Sequence, residues 1–151
     1  MVDLNSLLAP LNEVSDNCCE DNGKKCIDFD KVDNNLATAD CLIIKDSYFL
    51  LVEFKKLDEV EDIKEWTDDK IKNQQILLKA YESYFLLKKL VKNFDTFEKR
   101  FVLVYKASKS KKKIKEHFKS RLSRIKIAYD EVLVLECRNF KNLLQRIENV
   151  F

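Results

Sequence analysis

Two acids and a lysine carry the chemistry this sequence points to: Asp40, Glu53 and Lys55. Between the acids, two apolar runs, Cys41-Leu42-Ile43-Ile44 and Tyr48-Phe49-Leu50-Leu51-Val52, flank Lys45-Asp46-Ser47. That pattern reads as a β-hairpin. With Asp46 and Ser47 as a two-residue turn, Lys45 faces Tyr48, Leu42 faces Leu51 and Asp40 faces Glu53. Opposed side chains on an antiparallel pair have Cβ atoms about 4.5–5.5 Å apart, and like charges there destabilise the pair unless something compensates them. A divalent cation would do so, and two carboxylates suit Mg²⁺ or Mn²⁺, which take oxygen ligands and keep several waters. Lys55, two residues beyond Glu53, projects on the same face. There an ammonium would orient a metal-bound water, help deprotonate it, or stabilise the charge of a pentavalent phosphate.

A plainer account stands beside this one. The pattern acid, any residue, lysine occurs three times, at Glu53-Phe54-Lys55, Asp62-Ile63-Lys64 and Asp68-Asp69-Lys70. The last two lie in charged sequence, where solvated ion pairs explain them. Only the first follows an apolar strand and has a second acid across a hairpin. Acids at strand ends also serve as structural ion networks, so Asp40, Glu53 and Lys55 carry both readings.

Other chemistry is excluded by scarcity. The 151 residues include one Gly (Gly23), one Pro (Pro10) and one His (His117). Phosphate-cradling loops and dinucleotide fingerprints need several glycines, and histidine-ligated zinc needs more imidazoles. Five cysteines without a paired CxxC spacing indicate neither a disulfide framework nor a zinc ribbon, and a reduced, cytoplasmic setting is expected. The first residues, Met-Val-Asp-Leu-Asn-Ser, lack the base and apolar run of a signal peptide, and no run of eighteen apolar residues predicts a membrane span. A chain 46% hydrophobic and 36% charged builds one core, so a single domain, 1–151, is expected.

The elements that must position the acids follow from periodicity. Leu4, Leu7, Leu8 and Leu11 predict a first helix over Asp3 to Val14, kinked at Pro10. Asn22-Gly23 marks a turn, and Cys26 to Phe29 a first strand. After the hairpin, residues 57–70 read as a loop or short helical excursion containing Trp66, which suits a hydrophobic staple for the next helix. Ile71, Leu78, Tyr81, Phe85 and Leu90 predict a long helix over 67–93 with Thr67 as its cap. Phe101 to Tyr105 is a buried strand, Ser108 to Ile125 a basic helix, Val132 to Leu135 another strand, and Asn139 caps a last helix. Strands alternating with helices demand parallel pairing in the second half, so the fold class is α/β, a mixed central β-sheet flanked by helices.

With these residues and elements in view, the sequence resembles the PD-(D/E)xK, or restriction-endonuclease-like, superfamily of metal-dependent nucleases. Ala39-Asp40, a twelve-residue spacer across a hairpin, and Glu53-Phe54-Lys55 match its signature, within an element order close to its αβββαβ core, here followed by a C-terminal βα extension. The resemblance implies that Asp40 and Glu53 bind the metal, that Lys55 assists the attacking water, and that an acid on the first helix joins them. Glu13 is the position for that last role, with a solvated helix-end acid as the alternative. The chain departs from the signature in having Ala39 for Pro, and Gln74 and Gln75 precede Tyr81 and Tyr84 at spacings other than the Gln-x-x-x-Tyr of some exonuclease and resolvase branches.

Charge is distributed unevenly although the net is only +2. Residues 1–40 hold nine acids and three bases, whereas residues 106–126 hold ten bases and one acid. Lys109, Lys111, Lys112, Lys113, Lys115, Lys119 and Arg121 are candidate phosphate contacts, since clustered cations gain affinity by releasing counterions. Ile114, Phe118, Leu122 and Ile125 must face the core, so a merely solvated basic face is the alternative. His117 is expected at the surface. Together these point to a metal-dependent nuclease, acting on DNA in preference to RNA, with Mg²⁺ or Mn²⁺ as cofactor and no membrane. A homodimer or a protein partner remains open. The rival is a nuclease-like fold without turnover that binds nucleic acid or protein.

Overall fold

A computed structural model of the chain describes residues 3–19, 23–33, 35–58 and 60–147. Six strands form one sheet in chain order: β1 (Leu8–Pro10), β2 (Lys25–Asp28), β3 (Cys41–Ile44), β4 (Tyr48–Lys56), β5 (Glu98–Lys106) and β6 (Glu131–Glu136). The first three pairings are antiparallel, while β4–β5 and β5–β6 are parallel. The helices are α1 (Leu11–Val14), α2 (Ile63–Asp68), α3 (Lys70–Leu90), α4 (Lys111–Leu122) and α5 (Cys137–Arg146). Parallel neighbours need long crossovers, and α3 and α4 supply them. The protein is therefore α/β with a mixed, helix-flanked sheet, as the alternation of apolar runs predicts.

Strand alternation sends side chains to two cores. On one face Phe49, Leu51, Phe101, Leu103 and Val134 pack with Ile76, Ala80 and Leu87 of α3 and with Ile114, Phe118 and Leu122 of α4. On the other, Leu50, Val52, Phe54, Val102 and Val104 pack with Leu11 of α1 and with Phe140 and Leu144 of α5. The central strands β3, β4 and β5 are apolar on both faces because both are covered.

Several predicted elements change shape. The first helix is instead a 3-10 turn over Leu4–Leu7, capped by Asp3 through Asn5 N–H (3.1 Å), then β1, then the single turn α1. Pro10 is the reason: it lacks an N–H and sits extended (φ −58°, ψ 139°), so a helix cannot run through it. Gly23 has a positive φ of 74°, as a turn requires, while Asn22 lies outside the described residues.

The long helix breaks at Asp69, whose backbone is extended and whose side-chain Oδ1 caps α3 by accepting from the N–H groups of Ile71 (3.0 Å) and Lys72 (3.2 Å). Thr67, the predicted cap, lies inside α2, and its Oγ1 donates to Lys64 O (3.2 Å). Trp66 is buried on α2 and meets Phe118 edge-on at 5.4 Å, so it fastens α2 to α4. The basic helix begins at Lys111 and gives way to a 3-10 segment at Ser123–Ile127. Asn139 lies within α5, which starts at Cys137 without a side-chain cap.

One cysteine expectation is overturned. Cys19 and Cys137 form a disulfide across a sequence separation of 118, with Cα atoms 5.7 Å apart, and Cys18, Cys26 and Cys41 are free and buried. Spacing gave no hint, because the partners meet only when α5 folds over the face that carries α1. Among the described residues no helix is long and apolar enough to cross a membrane.

Candidate metal and nucleic-acid site

The hairpin register comes from its short turn. Lys45 N–H donates to Tyr48 O (2.9 Å), Leu42 faces Leu51 and Cys41 faces Val52. One step further from the turn, Asp40 lies beside Glu53. At that point the β3 ladder has ended, and the Asp40 side chain takes over: its Oδ2 accepts the Phe54 N–H (2.9 Å). Helix α3 holds the incoming segment in place. Ala39 N–H donates to Ser83 Oγ (2.7 Å), Ala37 N–H donates to the Glu82 carboxylate, and Thr38 Oγ1 donates to Asp30 Oδ1 (3.0 Å).

Glu53 is wholly buried among Phe49, Leu51 and Leu103 on the face covered by α3. Lys79 of α3 reaches it: Nζ lies 2.8 Å from Glu53 Oε2, a close ion pair. With both acids ionised, Glu53 Oε1 has no hydrogen-bond donor among the described residues. A proton on Asp40 would provide one. Burial, then hydrogen bonding to Glu53 and the charge of Glu53, push the Asp40 carboxyl up to about 8. Partial burial and the neighbouring Asp40 push Asp30 up to about 6. Burial works against the Lys79 ammonium, but Glu53, Asp40 and Asp30 outweigh it and hold Lys79 above its ordinary value.

Lys55 is half-buried, two residues on from Glu53 on the same face, and pairs in register with Tyr105 of β5. It makes no ion pair with a described residue. Glu13 is not brought to this place. It is exposed on α1, whose Leu11 and Val14 pack into the opposite face of the sheet. The helix that should have carried it across is shortened by Pro10.

A metal fits the donor set. Two neighbouring carboxylates, Asp40 and buried Glu53, offer hard oxygen ligands, with Lys79 already paired to one Glu53 oxygen. Among the described residues no three of His, Cys, Asp and Glu gather as a complete cluster, so a cation here would take its remaining ligands from water or substrate.

Lys79, Asp30 and Ser83 were missed by the sequence reading. One signal was available for Lys79: it falls three residues after Ile76 and four before Ser83, both buried on α3. A lysine on the core-facing stripe of a helix needs a buried acid to meet.

The basic helix lies on the same face of the sheet as Asp40 and Glu53. Glu136 is next to Tyr105, and Tyr105 next to Lys55, across three parallel strands. Adjacent strands are about 4.8 Å apart, so Glu136 stands roughly 10 Å from Lys55. Lys111 Nζ lies 3.4 Å from Glu136 Oε1, which anchors the start of α4 at that same end of the sheet. Lys112, Lys113 and Lys119 are exposed and Lys115 and Arg121 half-buried on α4, while Lys109 is exposed in the loop before it. Lys115 and Lys119, with Lys126, line a groove of about 350 Å³ along β6. His117 is half-buried rather than at the surface: its Nε2 is 2.6 Å from Asn73 Oδ1, and burial followed by nearby Arg121 lowers its basicity.

Compared with protein-family models, curated proteins and solved structures, the chain matches none.

Proposed function

We propose that this protein is a metal-dependent nuclease of the PD-(D/E)xK kind. In this reading Asp40 and Glu53 hold Mg²⁺ or Mn²⁺, and Lys55 positions the attacking water. The observation that carries it is the pair of carboxylates, Asp40 just before β3 and buried Glu53 on β4, which lie close enough to raise the Asp40 carboxyl. Lysines of α4 at the same end and face of the sheet would take the phosphates of a nucleic acid, DNA in preference to RNA. When bound, the metal supplies Lewis acidity and lowers the pKa of a bound water. Cytoplasmic residence belongs to this proposal, and thiol trapping of Cys19 and Cys137 in cells tests it: a reducing compartment yields both as free thiols.

A second reading is favoured by Lys79. Its ammonium already neutralises Glu53, and a protonated Asp40 would complete a closed network that needs no metal. The fold would then bind nucleic acid or protein without turnover.

Thermal melting and plasmid nicking, each with Mg²⁺ or Mn²⁺, separate the two. The nuclease reading expects metal to raise the Tm of the wild type, Asp40→Asn to abolish most of that rise, and Lys55→Ala to lose nicking while keeping the metal response. An identical metal response in wild type and Asp40→Asn, with no cleavage by either, leaves the ion network as the reading.

A further inference from the structure

The two edges of the sheet are unlike. Strand β1 is three residues long and ends at Pro10, which lacks an N–H, so that edge offers little to pair with. Strand β6 is six residues long and reads Glu-Val-Leu-Val-Leu-Glu, with neither Pro nor a charge between its ends. It pairs with β5 on one side, and among the described residues no strand pairs with the other. Alternate N–H and C=O groups of β6 therefore point outward. A groove of about 350 Å³ runs along this strand, and Val132, Leu133, Val134 and Leu135 all line it. Val132 and Val134 belong to the core under α4, Leu133 and Leu135 to the core under α5. Four consecutive residues whose side chains alternate between opposite faces share one groove along the strand's own edge.

The rest of the groove is basic, and this identifies the occupant. Lys115 and Lys119 come from α4 and Lys126 from the 3-10 segment after it. None of the three forms an ion pair with a described residue, whereas the acids at the ends of β6 are already met, Glu131 by Arg100 and Glu136 by Lys111 and Arg138. Lys115 and Lys119 are about 6 Å apart along the helix, and same-face residues of an extended chain are about 6.7 Å apart. Acids at alternate positions of an added strand would thus meet successive lysines, while the residues between them turn to the α5 face beside partly buried Leu133 and Leu135. A second copy is disfavoured, because edge-to-edge pairing of two β6 strands about a two-fold axis gathers both sets of lysines on the same face of the joint. We infer that β6 is a docking edge that takes an extended acidic peptide of another protein as a seventh strand, with acids at alternate positions over Lys115, Lys119 and Lys126 and apolar residues between them. The inference stands apart from the nuclease reading, since it uses none of Asp40, Glu53 and Lys55. Lys115 and Lys119 are also candidate phosphate contacts, so duplex DNA is the competing occupant, and it would use the lysines without the outward N–H and C=O groups of the strand.

The probe is a fluorescent synthetic octapeptide that alternates Glu and Val, and its anisotropy in metal-free buffer reads binding. Lys119 and Lys126 are exposed, so Lys119→Glu/Lys126→Glu should stay folded by circular dichroism and raise the dissociation constant by at least about tenfold. Two further peptides, N-methylated at every Glu or at every Val, test the backbone. An added strand turns alternate N–H groups to β6, so one of the two should lose at least about tenfold in affinity and the other should keep it. Amide exchange within residues 131–136 should slow when the unmodified peptide is added. A protein that binds no Glu-Val peptide at about 1 mM overturns the inference, as does equal affinity for the two methylated peptides. Binding of duplex DNA but not of peptide, weakened by the same double substitution, would assign the groove to nucleic acid and overturn it too.

Discussion

Lys79 Nζ lies 2.8 Å from Glu53 Oε2, so the cation that neutralises the buried acid comes from helix α3, not from Lys55 on the same strand. Glu53 is fully enclosed, and a carboxylate there without a counter-charge would carry a large desolvation penalty. The pair therefore matters more to the fold than any surface ion pair of the molecule.

Lys79→Met tests that dependence. Leaving a buried charge unpaired costs about 3–5 kcal/mol, so urea unfolding in metal-free buffer should show a loss of that order. If a cation binds the paired carboxylates, Mn²⁺ should restore part of the loss. Glu53→Gln in the same background should also restore stability, because it removes the charge. A Lys79→Met protein as stable as wild type would mean that the ion pair carries no weight.

The raised Asp40 carboxyl sets a pH dependence of known sign. Its folded value is about 8 and the ordinary value of an aspartate 3.8, so between these the folded state keeps a proton that the unfolded state has lost. Stability is thus fullest at the acidic end and declines as pH rises from about 4 to about 8. Asp40→Asn should flatten this decline in thermal melts between pH 5 and pH 8. Metal must displace the same proton, so Mn²⁺ affinity should strengthen with pH over this range, by up to about tenfold per unit. Affinity independent of pH would place the metal elsewhere.

The basic helix yields a salt prediction. Replacing Lys111, Lys112 and Lys113 with Gln should lower affinity for duplex DNA of every sequence alike. The slope of log affinity against log salt should shrink by about 0.9 for each lysine that contacts a phosphate. Stability should change little for Lys112 and Lys113, which are exposed, and slightly for Lys111, which loses Glu136. An unchanged slope in fluorescence anisotropy would return α4 to the status of a solvated face.

What was legible in the sequence was local and periodic. The register of β3 on β4 could be read because two apolar runs separated by a short polar turn leave one arrangement in which both are buried, and this set Asp40 beside Glu53. The parallel half followed from buried strands separated by helix-length segments. Strand β1 was hidden because its three residues, Leu8–Pro10, share the spacing of a helix and gain a partner only from β2. On α3 the pattern misled in a specific way. Ile71, Leu78 and Phe85 look like core by spacing, yet the core side is lined by Asn73, Ala80 and Ser83, whose small or polar side chains fit close to the sheet and the incoming loop. Which acid Lys79 meets was hidden for the same reason that Cys19 was invisible as a partner of Cys137: each pairing is made by tertiary packing between distant segments.

The Cys19–Cys137 bond also settles how the molecule would carry tension. A pull applied to the two ends of the chain enters at Cys19 and leaves at Cys137 through the sulfurs. Nearly all of the sheet lies between those residues, including the strands that carry Asp40 and Glu53, as does the helix that carries Lys79. That closed loop is a passenger, outside the load path. Stretched in an oxidised state, the chain would not lengthen between Cys19 and Cys137: peeling β1 would load β2 through their hydrogen bonds, but the loop from β2 to β6 could be drawn out only after the disulfide is reduced.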